Sequence, residues 1–234
     1  MKRSSRNPIS RRERPAKPAL TREGIVAAAL KILRAEGLDK VTMRRLAQEL
    51  DTGPASLYVY VRNVAELHGA LLDELLAAGE PHVDTEASDW QQQLIALLSS
   101  YILVLFDYPS LARSLLSLRP MGPHYLRLVE SVLALLRTGG VSPRRAAWGS
   151  DMLLQYAVAV AAEHGTRAAS ADTLEEDNVL AAALRNVSAD DYPNIVALGA
   201  ELVSGTGPER LDWALRALIR GIAATPANDD IPDG

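Results

Sequence analysis

Residues 42–60, with the sequence TMRRLAQELDTGPASLYVY, contain two short helical patterns separated by a break of three residues. Thr42 suits the N-cap of a helix over residues 43–50, because its hydroxyl can accept a hydrogen bond from the first turn. The tripeptide Asp51-Thr52-Gly53 ends that helix, and Pro54 suits the first position of the next one. The pattern therefore predicts a further short helix over residues 54–60.

Two short helices joined by such a break have the geometry of a helix-turn-helix. The first helix braces the second, which can then lie in the major groove of DNA. Apolar Leu46 and Ala47 face inward from the bracing helix, and Leu57 and Val61 can anchor the helix that follows. Asp51 falls at the turn, where a left-handed backbone is usual, and aspartate tolerates that conformation better than most residues.

The other side chains of this stretch suit a nucleic-acid surface. Hydroxyls can donate to phosphates, alanine and valine can contact a thymine methyl, and arginine can bond to a guanine edge or a phosphate. The predicted DNA contacts are Pro54, Ala55, Ser56, Tyr58, Val59 and Tyr60, with Arg44 on the bracing helix and Arg45, Lys40 and Arg62 as unspecific attraction. The alternative is that the tyrosines are half-buried aromatics and the arginines a solvated face.

Basic residues are concentrated at the N-terminal end of a chain whose net charge is −4. Residues 1–70 hold 14 Lys and Arg against 7 Asp and Glu, which gives +7, and the remaining 164 residues hold 11 against 22, which gives −11. Such asymmetry is expected where only one end of a protein meets phosphates. Residues 1–19 carry seven of the basic residues among prolines, which predicts a flexible basic arm. The alternative is a basic tail without a partner.

Helical periodicity accounts for the rest of the chain. A first helix is predicted from the N-cap Thr21 to the C-cap Gly37, and a fourth from the cap Asn63 to about residue 78. Later helices are expected near 89–106, 109–118, 122–138, 143–165, 174–186, 193–204 and 208–224, with a loop over 165–172. No alternating strand pattern is present. The predicted fold is all-α, with a three-helix head over 20–66, a helical body over 67–224 and an acidic tail over 225–234.

Composition and motifs exclude several classes of protein. The chain has no cysteine, which rules out a disulfide scaffold, thiolate catalysis and a cysteine zinc site. It lacks HExxH, GxSxG, Walker and GxGxxG sequences, and the neighbours Glu163 and His164 point in different directions on one helix. Its longest apolar run, residues 94–106, is interrupted and shorter than the roughly 20 residues of a membrane span. We expect a soluble, cytoplasmic protein without cofactor, metal or catalytic site.

The helix-turn-helix lies within a longer stretch that resembles a known family. Over residues 20–72, the segments AAL…L…EG, VTMRRLAQEL and LYVYVRNVAEL closely resemble the N-terminal DNA-binding domain of the TetR family. The resemblance implies a homodimeric repressor that binds palindromic operator DNA and is released by a small-molecule effector. The alternative is an activator, or a regulator acting through protein contacts. Asp51, Tyr60 and Val64 depart from the family's usual glycine, histidine and lysine.

Two regions of the body are candidates for the dimer contact that the resemblance implies. In the C-terminal helix, Leu211, Leu215, Leu218 and Ile222 form an apolar stripe flanked by the small residues Ala214, Ala217 and Gly221. Residues 142–165 are similarly rich in alanine and valine, and in the family both regions pack against their symmetry mates. The alternative is that both regions pack within one chain.

The family also implies an effector pocket in the body. Aromatic side chains, thioethers and polar tips suit a largely apolar ligand. The predicted ligand contacts are Tyr101, Phe106, Met121, His124, Tyr125, Trp148, Met152 and Tyr156. The alternative for each of these residues is an ordinary place in the core.

Overall fold

The computed structural model describes residues 19–79, 89–169 and 173–227. The predicted arm over residues 1–19 lies outside the described residues except for residue 19. Of the predicted tail over 225–234 only residues 225–227 are described, and Ala227 among them is buried. Within the three described ranges every regular element is helical and no strand is present. This confirms the all-α prediction.

In these ranges the chain forms eleven α-helices and one short 3-10 helix. The head consists of α1 (Arg22–Glu36), the 3-10 helix Leu38–Lys40, α2 (Met43–Glu49), α3 (Pro54–Leu57) and the beginning of α4 (Val64–Ala78). The body continues with α5 (Trp90–Phe106), α6 (Pro109–Leu115), α7 (Pro123–Thr138), α8 (Pro143–Ala169), α9 (Thr173–Arg185), α10 (Pro193–Leu202) and α11 (Gly207–Ala224).

Caps predicted from the sequence delimit the helices of the head. The Thr21 hydroxyl accepts a hydrogen bond from the Gly24 N–H at 3.0 Å, and the Asn63 side chain accepts one from the Glu66 N–H at 2.8 Å. Each bond satisfies an N–H group that has no partner inside its own helix. Helix α1 ends at Gly37, whose φ of +87° favours glycine.

The third helix is shorter than predicted, since α3 ends at Leu57 and not at Tyr60. The next residues form a turn in which the Tyr60 N–H donates to the Leu57 carbonyl at 3.0 Å. The sequence Tyr-Val-Tyr-Val over 58–61 explains the early end, because aromatic and β-branched side chains lose rotamer freedom in a helix.

Helix α8 is longer than predicted, since it continues to Ala169 where a loop was expected from residue 165. Gly165 lies inside the helix, where an added Cβ would overlap with Pro109 at the beginning of α6. At the adjacent residue, the ring of His164 stacks on that of Phe106, with the ring centroids 4.2 Å apart. Gly165 therefore permits close packing of α8 against the α5–α6 junction and does not end the helix.

The hydrophobic core of the body surrounds α8. Helices α5, α6, α7 and α11 all pack on it, and side chains such as Leu98, Ile102 and Leu153 are fully buried between them. Burial of one such side chain contributes about 1.5–3 kcal/mol. Helix α4 packs on both α1 and α7, so it joins the head to the body.

The apolar stripe of α11 serves the core of its own chain. Leu215 and Ile222 are buried at 0% and 7% exposure, together with Ile219, which lay outside the predicted stripe. The stripe therefore packs within its own chain, whereas contact of α11 with a second chain stays a prediction. The flank with Ala217 and Gly221 is exposed, and Trp213 beside it is 72% exposed.

Helices α9 and α10 pack mainly on each other. None of their described side chains is buried, and Val179, Leu180, Val196 and Leu198 are all more than half exposed. In the described ranges, no single helix is long and apolar enough to cross a membrane. Helices α5 and α6 reach that length and composition only when taken together, and they are bent by 113° at their junction.

Candidate functional site

The turn between α2 and α3 follows the pattern by which helices end on a left-handed residue. The Thr52 N–H donates to the Ala47 carbonyl at 2.8 Å, and the Asp51 N–H donates to the Gln48 carbonyl at 3.2 Å. Asp51 has a φ of +47° and is the only non-glycine residue with positive φ in the described part of the chain. The predicted left-handed turn is confirmed, with aspartate in the place of glycine.

Residues 54–56 and 58–60, which we call the recognition surface, lie on the outside of the head. All six are exposed, while Leu57 and Val61 between and beside them are buried at 0% and 1% exposure. Val59 is 80% exposed, so its side chain has no packing role within the described chain. The structure thus brings together the six predicted contacts of the third helix. Their hydroxyls and methyl groups match phosphates and thymine methyls.

The two arginines of α2 have different surroundings. Arg44 is exposed and makes no hydrogen bond or ion pair with any described residue, so its charge is available to DNA. Arg45 instead lies 2.6 Å from the Glu36 carboxylate and 3.0 Å from that of Glu49. Its hydrogen bond lowers the pKa of Glu36. We therefore reassign Arg45 from DNA contact to an ion-pair link between α1 and α2. Lys40 is exposed on the 3-10 helix.

The beginning of α4 is fixed by a carboxylate. Glu66 accepts hydrogen bonds from the Arg62 backbone N–H at 2.9 Å and from its guanidinium Nε at 3.1 Å. The backbone bond is the main reason why the pKa of Glu66 is lowered. Val64, where the family usually has a lysine, is 37% exposed and brings no charge to this edge of the head.

A buried carboxylate on α4 holds the first turn of α7. Asp73 is 7% exposed, and its Oδ1 accepts the backbone N–H groups of His124 and Tyr125, both at 2.9 Å. Its Oδ2 lies 3.0 Å from the Nδ1 atom of His124. Gly122 allows this approach, because a Cβ there would overlap with the carboxylate. Asp73 therefore caps a helix that is not its own and ties α4 to the body.

Sequence reasoning missed this link. The available signal was an acidic residue on the apolar face of α4, between Leu72 and Leu75–Leu76. A buried acid needs partners, but nothing in the local pattern identifies α7 as their source.

A second polar contact joins α4 to the body through His68. Its Nδ1 lies 2.7 Å from the Ser114 hydroxyl on α6. Burial lowers the pKa of His68, because an apolar environment disfavours the charged imidazole. The neutral ring can therefore bond to Ser114 at neutral pH. In the described residues no group of three or more His, Asp or Glu side chains is placed to hold a metal ion.

A cavity of about 630 Å³ lies between α5, α7 and α8, and we call it the body cavity. Four of the eight predicted ligand contacts line it: Tyr101, Tyr125, Met152 and Tyr156. The segment 115–120, which begins at the last residue of α6, forms another wall. Sequence reasoning missed that wall because it contains no aromatic side chain. The size suits a drug-sized ligand.

The other four predicted contacts do not line the body cavity. The Phe106 ring stacks on His164, and His124 is bound by Asp73. Met121 and Trp148 are on the surface at 75% and 61% exposure. These four predictions are corrected: two side chains pack against neighbouring helices, and two project from the chain.

Charges at the mouth of the body cavity affect its tyrosines. An Arg119 guanidinium nitrogen lies 3.0 Å from the Asp151 carboxylate, and both side chains are exposed. Burial raises the pKa of Tyr125, and the negative charge of Asp151 raises it further, while Arg119 opposes the change. Burial and the charge of Glu163 likewise raise the pKa of Tyr156. Both phenols are therefore neutral hydrogen-bonding groups at physiological pH.

Two family models cover the head and the body. The model of bacterial regulatory proteins of the tetR family matches residues 25–71. The model of the tetracyclin repressor-like C-terminal domain matches residues 80–225.

Individual relatives agree with these models. The HTH-type transcriptional repressor DrrR1 of Streptomyces coeruleorubidus is 34% identical over 151 residues, which cover 64% of this chain and 56% of that protein. A transcription regulator of Streptomyces coelicolor is 53% identical, with a TM-score of 0.76 over 90% of this chain and 98% of the other. The TetR family protein ActR of the same species, in complex with actinorhodin, is 34% identical, with a TM-score of 0.78 over 91% and 99%. The chain thus spans about half the length of the first relative and nearly all of the two solved chains. The chain belongs to the TetR family of bacterial transcriptional regulators, as the resemblance over residues 20–72 predicted.

Proposed function

We propose that the chain is a ligand-responsive transcriptional repressor, which binds palindromic operator DNA as a homodimer and is released by a small molecule. The recognition surface carries this proposal, because its six exposed residues lie on α3 and on the turn that follows it, and Leu57 and Val61 anchor both in the core. The function requires no catalytic step, and we place the protein in the cytoplasm, where operator DNA is found.

Each part of the recognition surface has a role in DNA binding. The hydroxyls of Ser56, Tyr58 and Tyr60 donate to phosphates, and Val59 contacts a thymine methyl. Arg44, without an ion pair among the described residues, bonds to a guanine edge or a phosphate. Because residues 51, 60 and 64 depart from the usual family pattern, the base sequence that this chain recognises differs from the sequences that its relatives recognise.

A homodimer supplies the second half of the contact with DNA. One recognition helix covers only a few base pairs, and two-fold dimers place two such helices one turn of DNA apart, about 34–36 Å. The exposed side chains of α8 and α11 that suit the dimer contact are Trp148, Met152 and Trp213. Tryptophan and methionine are enriched in such interfaces.

Release of DNA by a ligand requires a path from the body cavity to the head. Tyr125 lines the cavity, and Asp73 of α4 binds its backbone N–H. A ligand that prefers one position of α7 therefore shifts α4 and the head with it. The effect on DNA affinity equals the difference in ligand affinity between the two arrangements.

Selection from random duplexes tests the proposal with the full chain. Bound DNA is enriched over several rounds and sequenced, and affinities for the enriched duplex are then measured by fluorescence anisotropy. We expect an inverted repeat. Val59→Asp places a negative charge on the recognition surface and is expected to weaken binding at least about tenfold.

Ala134→Asp is the matched control, since it adds the same charge to an exposed position of α7. It should bind DNA as the wild-type chain does. Failure to enrich any sequence, or equal binding by Val59→Asp and Ala134→Asp, contradicts the proposal.

A further inference from the structure

We propose that a cleft between the head and the body binds an apolar α-amino acid, whose carboxylate pairs with Arg34 and whose ammonium group pairs with Asp107. The cleft, which we call the junction cleft, has a volume of about 350 Å³ and lies between the end of α1 and the α5–α6 junction. It shares no lining residue with the body cavity. The amino acid is therefore a second ligand, distinct from the small molecule of the proposed function.

Two opposite charges face the junction cleft without pairing. Arg34 belongs to the last turn of α1, and Asp107 follows the last residue of α5. Both residues are exposed, and neither side chain makes a hydrogen bond or ion pair with a described residue. A guanidinium binds a carboxylate through two parallel hydrogen bonds, and a carboxylate accepts the N–H groups of an ammonium. A ligand that carries both groups therefore satisfies both side chains at once.

The same two charges disfavour other ligands of this size. Asp107 repels a simple anion that approaches Arg34, and Arg34 repels a simple cation that approaches Asp107. A neutral apolar molecule leaves both charges without a partner and removes part of their water. A zwitterion avoids all of these costs.

The rest of the lining is largely apolar. Leu33 and Leu38 of the head and Leu111 of α6 line the junction cleft, and each is at most 8% exposed. Tyr108, which also lines it, is half-buried against the same core. These groups suit an aliphatic or aromatic ligand side chain, whose removal from water favours binding. The ligand class is thus the apolar α-amino acids, such as leucine, valine and phenylalanine.

A ligand in the junction cleft contacts the head and the body together, because Arg34 belongs to the head and Asp107 to the body. A ligand with a higher affinity for one orientation of the head shifts the population towards that orientation. We therefore expect the amino acid to change operator affinity, and operator DNA to change the affinity for the amino acid by the same factor. This coupling rests on the proposed function, whereas the binding itself does not.

Isothermal titration calorimetry without DNA tests the binding with the full chain. The probe is L-leucine. Its analogue 4-methylpentanoate lacks only the ammonium group, and 3-methylbutylamine lacks only the carboxylate. For the wild-type chain, we expect each analogue to bind at least about tenfold more weakly than L-leucine, because each loses one charge-assisted pair.

Two substitutions identify which side chain binds which end of the ligand. Arg34→Gln should remove the advantage of L-leucine over 3-methylbutylamine, and Asp107→Asn should remove its advantage over 4-methylpentanoate. The matched controls are Arg185→Gln and Asp191→Asn. Both control residues are exposed, lie outside the junction cleft and make no side-chain hydrogen bond or ion pair with a described residue. The controls should bind all three probes as the wild-type chain does, and melting curves verify that the four variants fold.

Several results overturn the inference. These are absence of binding by L-leucine, L-valine and L-phenylalanine alike, binding of either analogue as tightly as L-leucine, or an unchanged preference in Arg34→Gln or Asp107→Asn.

Anisotropy with the selected duplex, recorded with and without saturating L-leucine, examines the coupling. We expect operator affinity to change at least about fivefold in the wild-type chain and to stay unchanged in Arg34→Gln. An unchanged affinity in the wild-type chain refutes the coupling, whereas failure to bind any duplex refutes the repressor and leaves the calorimetric result to decide the amino-acid site.

Discussion

Replacing Asp73 with alanine is expected to destabilise the body and to loosen α4 from α7. The carboxylate accepts the N–H groups of His124 and Tyr125, both at 2.9 Å, and lies 3.0 Å from the His124 imidazole. Alanine leaves these groups without an acceptor. Since Asp73 is only 7% exposed, water replaces the carboxylate poorly.

The size of the effect follows from the bonds that are lost. Loss of a helix N-cap costs about 1 kcal/mol, and loss of a hydrogen bond to a charged group costs about 1.5–3 kcal/mol. Together they lower the free energy of unfolding by about 3 kcal/mol. In a domain of this size each kcal/mol lowers Tm by about 2–4 °C, so Tm should fall by roughly 6–12 °C. Asp73→Asn keeps one oxygen acceptor but not the charge, and its Tm should lie between those of wild type and Asp73→Ala.

Circular dichroism at 222 nm gives Tm, and hydrogen exchange followed by mass spectrometry examines the bonds themselves. Peptides that contain His124 and Tyr125 should exchange faster in Asp73→Ala, because both amides lose their acceptor. Glu74→Ala is the matched control, since Glu74 is the next residue of α4, is exposed and makes no hydrogen bond or ion pair with a described residue. If Asp73→Ala has the same Tm as Glu74→Ala, and the amides of His124 and Tyr125 exchange no faster in it than in the wild-type chain, Asp73 does not hold α7.

The other predictions concern charge and DNA affinity. Because burial lowers the pKa of His68 below 6.5, the folded chain binds fewer protons than the unfolded chain as the pH falls through 6.5 towards that lowered value. The stability therefore drops on acidification, and thermal melts between pH 7.5 and 5.5 should show a smaller drop for His68→Gln. Deleting residues 1–19, which hold seven basic residues, should make the salt dependence of operator affinity less steep, and an unchanged slope would show that the arm does not contact DNA. Arg44→Ala should weaken DNA binding with little change in Tm. Arg45→Ala breaks two ion pairs in the head and should lower Tm more than Arg44→Ala does. If anisotropy and melting instead show that Arg45→Ala weakens DNA binding more and lowers Tm less than Arg44→Ala, these assignments are reversed.

Local features of the head could be predicted because they depend on neighbouring residues. The caps at Thr21 and Asn63 and the left-handed Asp51 follow from side-chain chemistry within one turn. Helix α3 is shorter than predicted, because the aromatic and β-branched residues after Leu57 have low helix propensity.

The body was less predictable because its contacts join distant parts of the chain. Asp73 meets α7 across 51 positions of sequence, and no local pattern contains that information. Half of the predicted ligand contacts do not line the cavity, for a related reason. An aromatic side chain such as Trp148 can line a cavity, pack in the core or lie on the surface, and composition does not distinguish these places. An apolar helix face such as the stripe of α11 has the same sequence pattern in the core of one chain and in a contact between two chains.

Two copies of the chain, each with one recognition surface, are expected on one operator. Sedimentation velocity on a selected duplex with both half-sites measures that number, and anisotropy compares the affinity with that for a duplex carrying a single half-site. We expect two chains per duplex and an affinity for the half-site that is weaker by about 100-fold or more, because the second contact is made within the same complex. One chain per duplex, with equal affinity for the whole and the half operator, would contradict the proposal of a dimeric repressor.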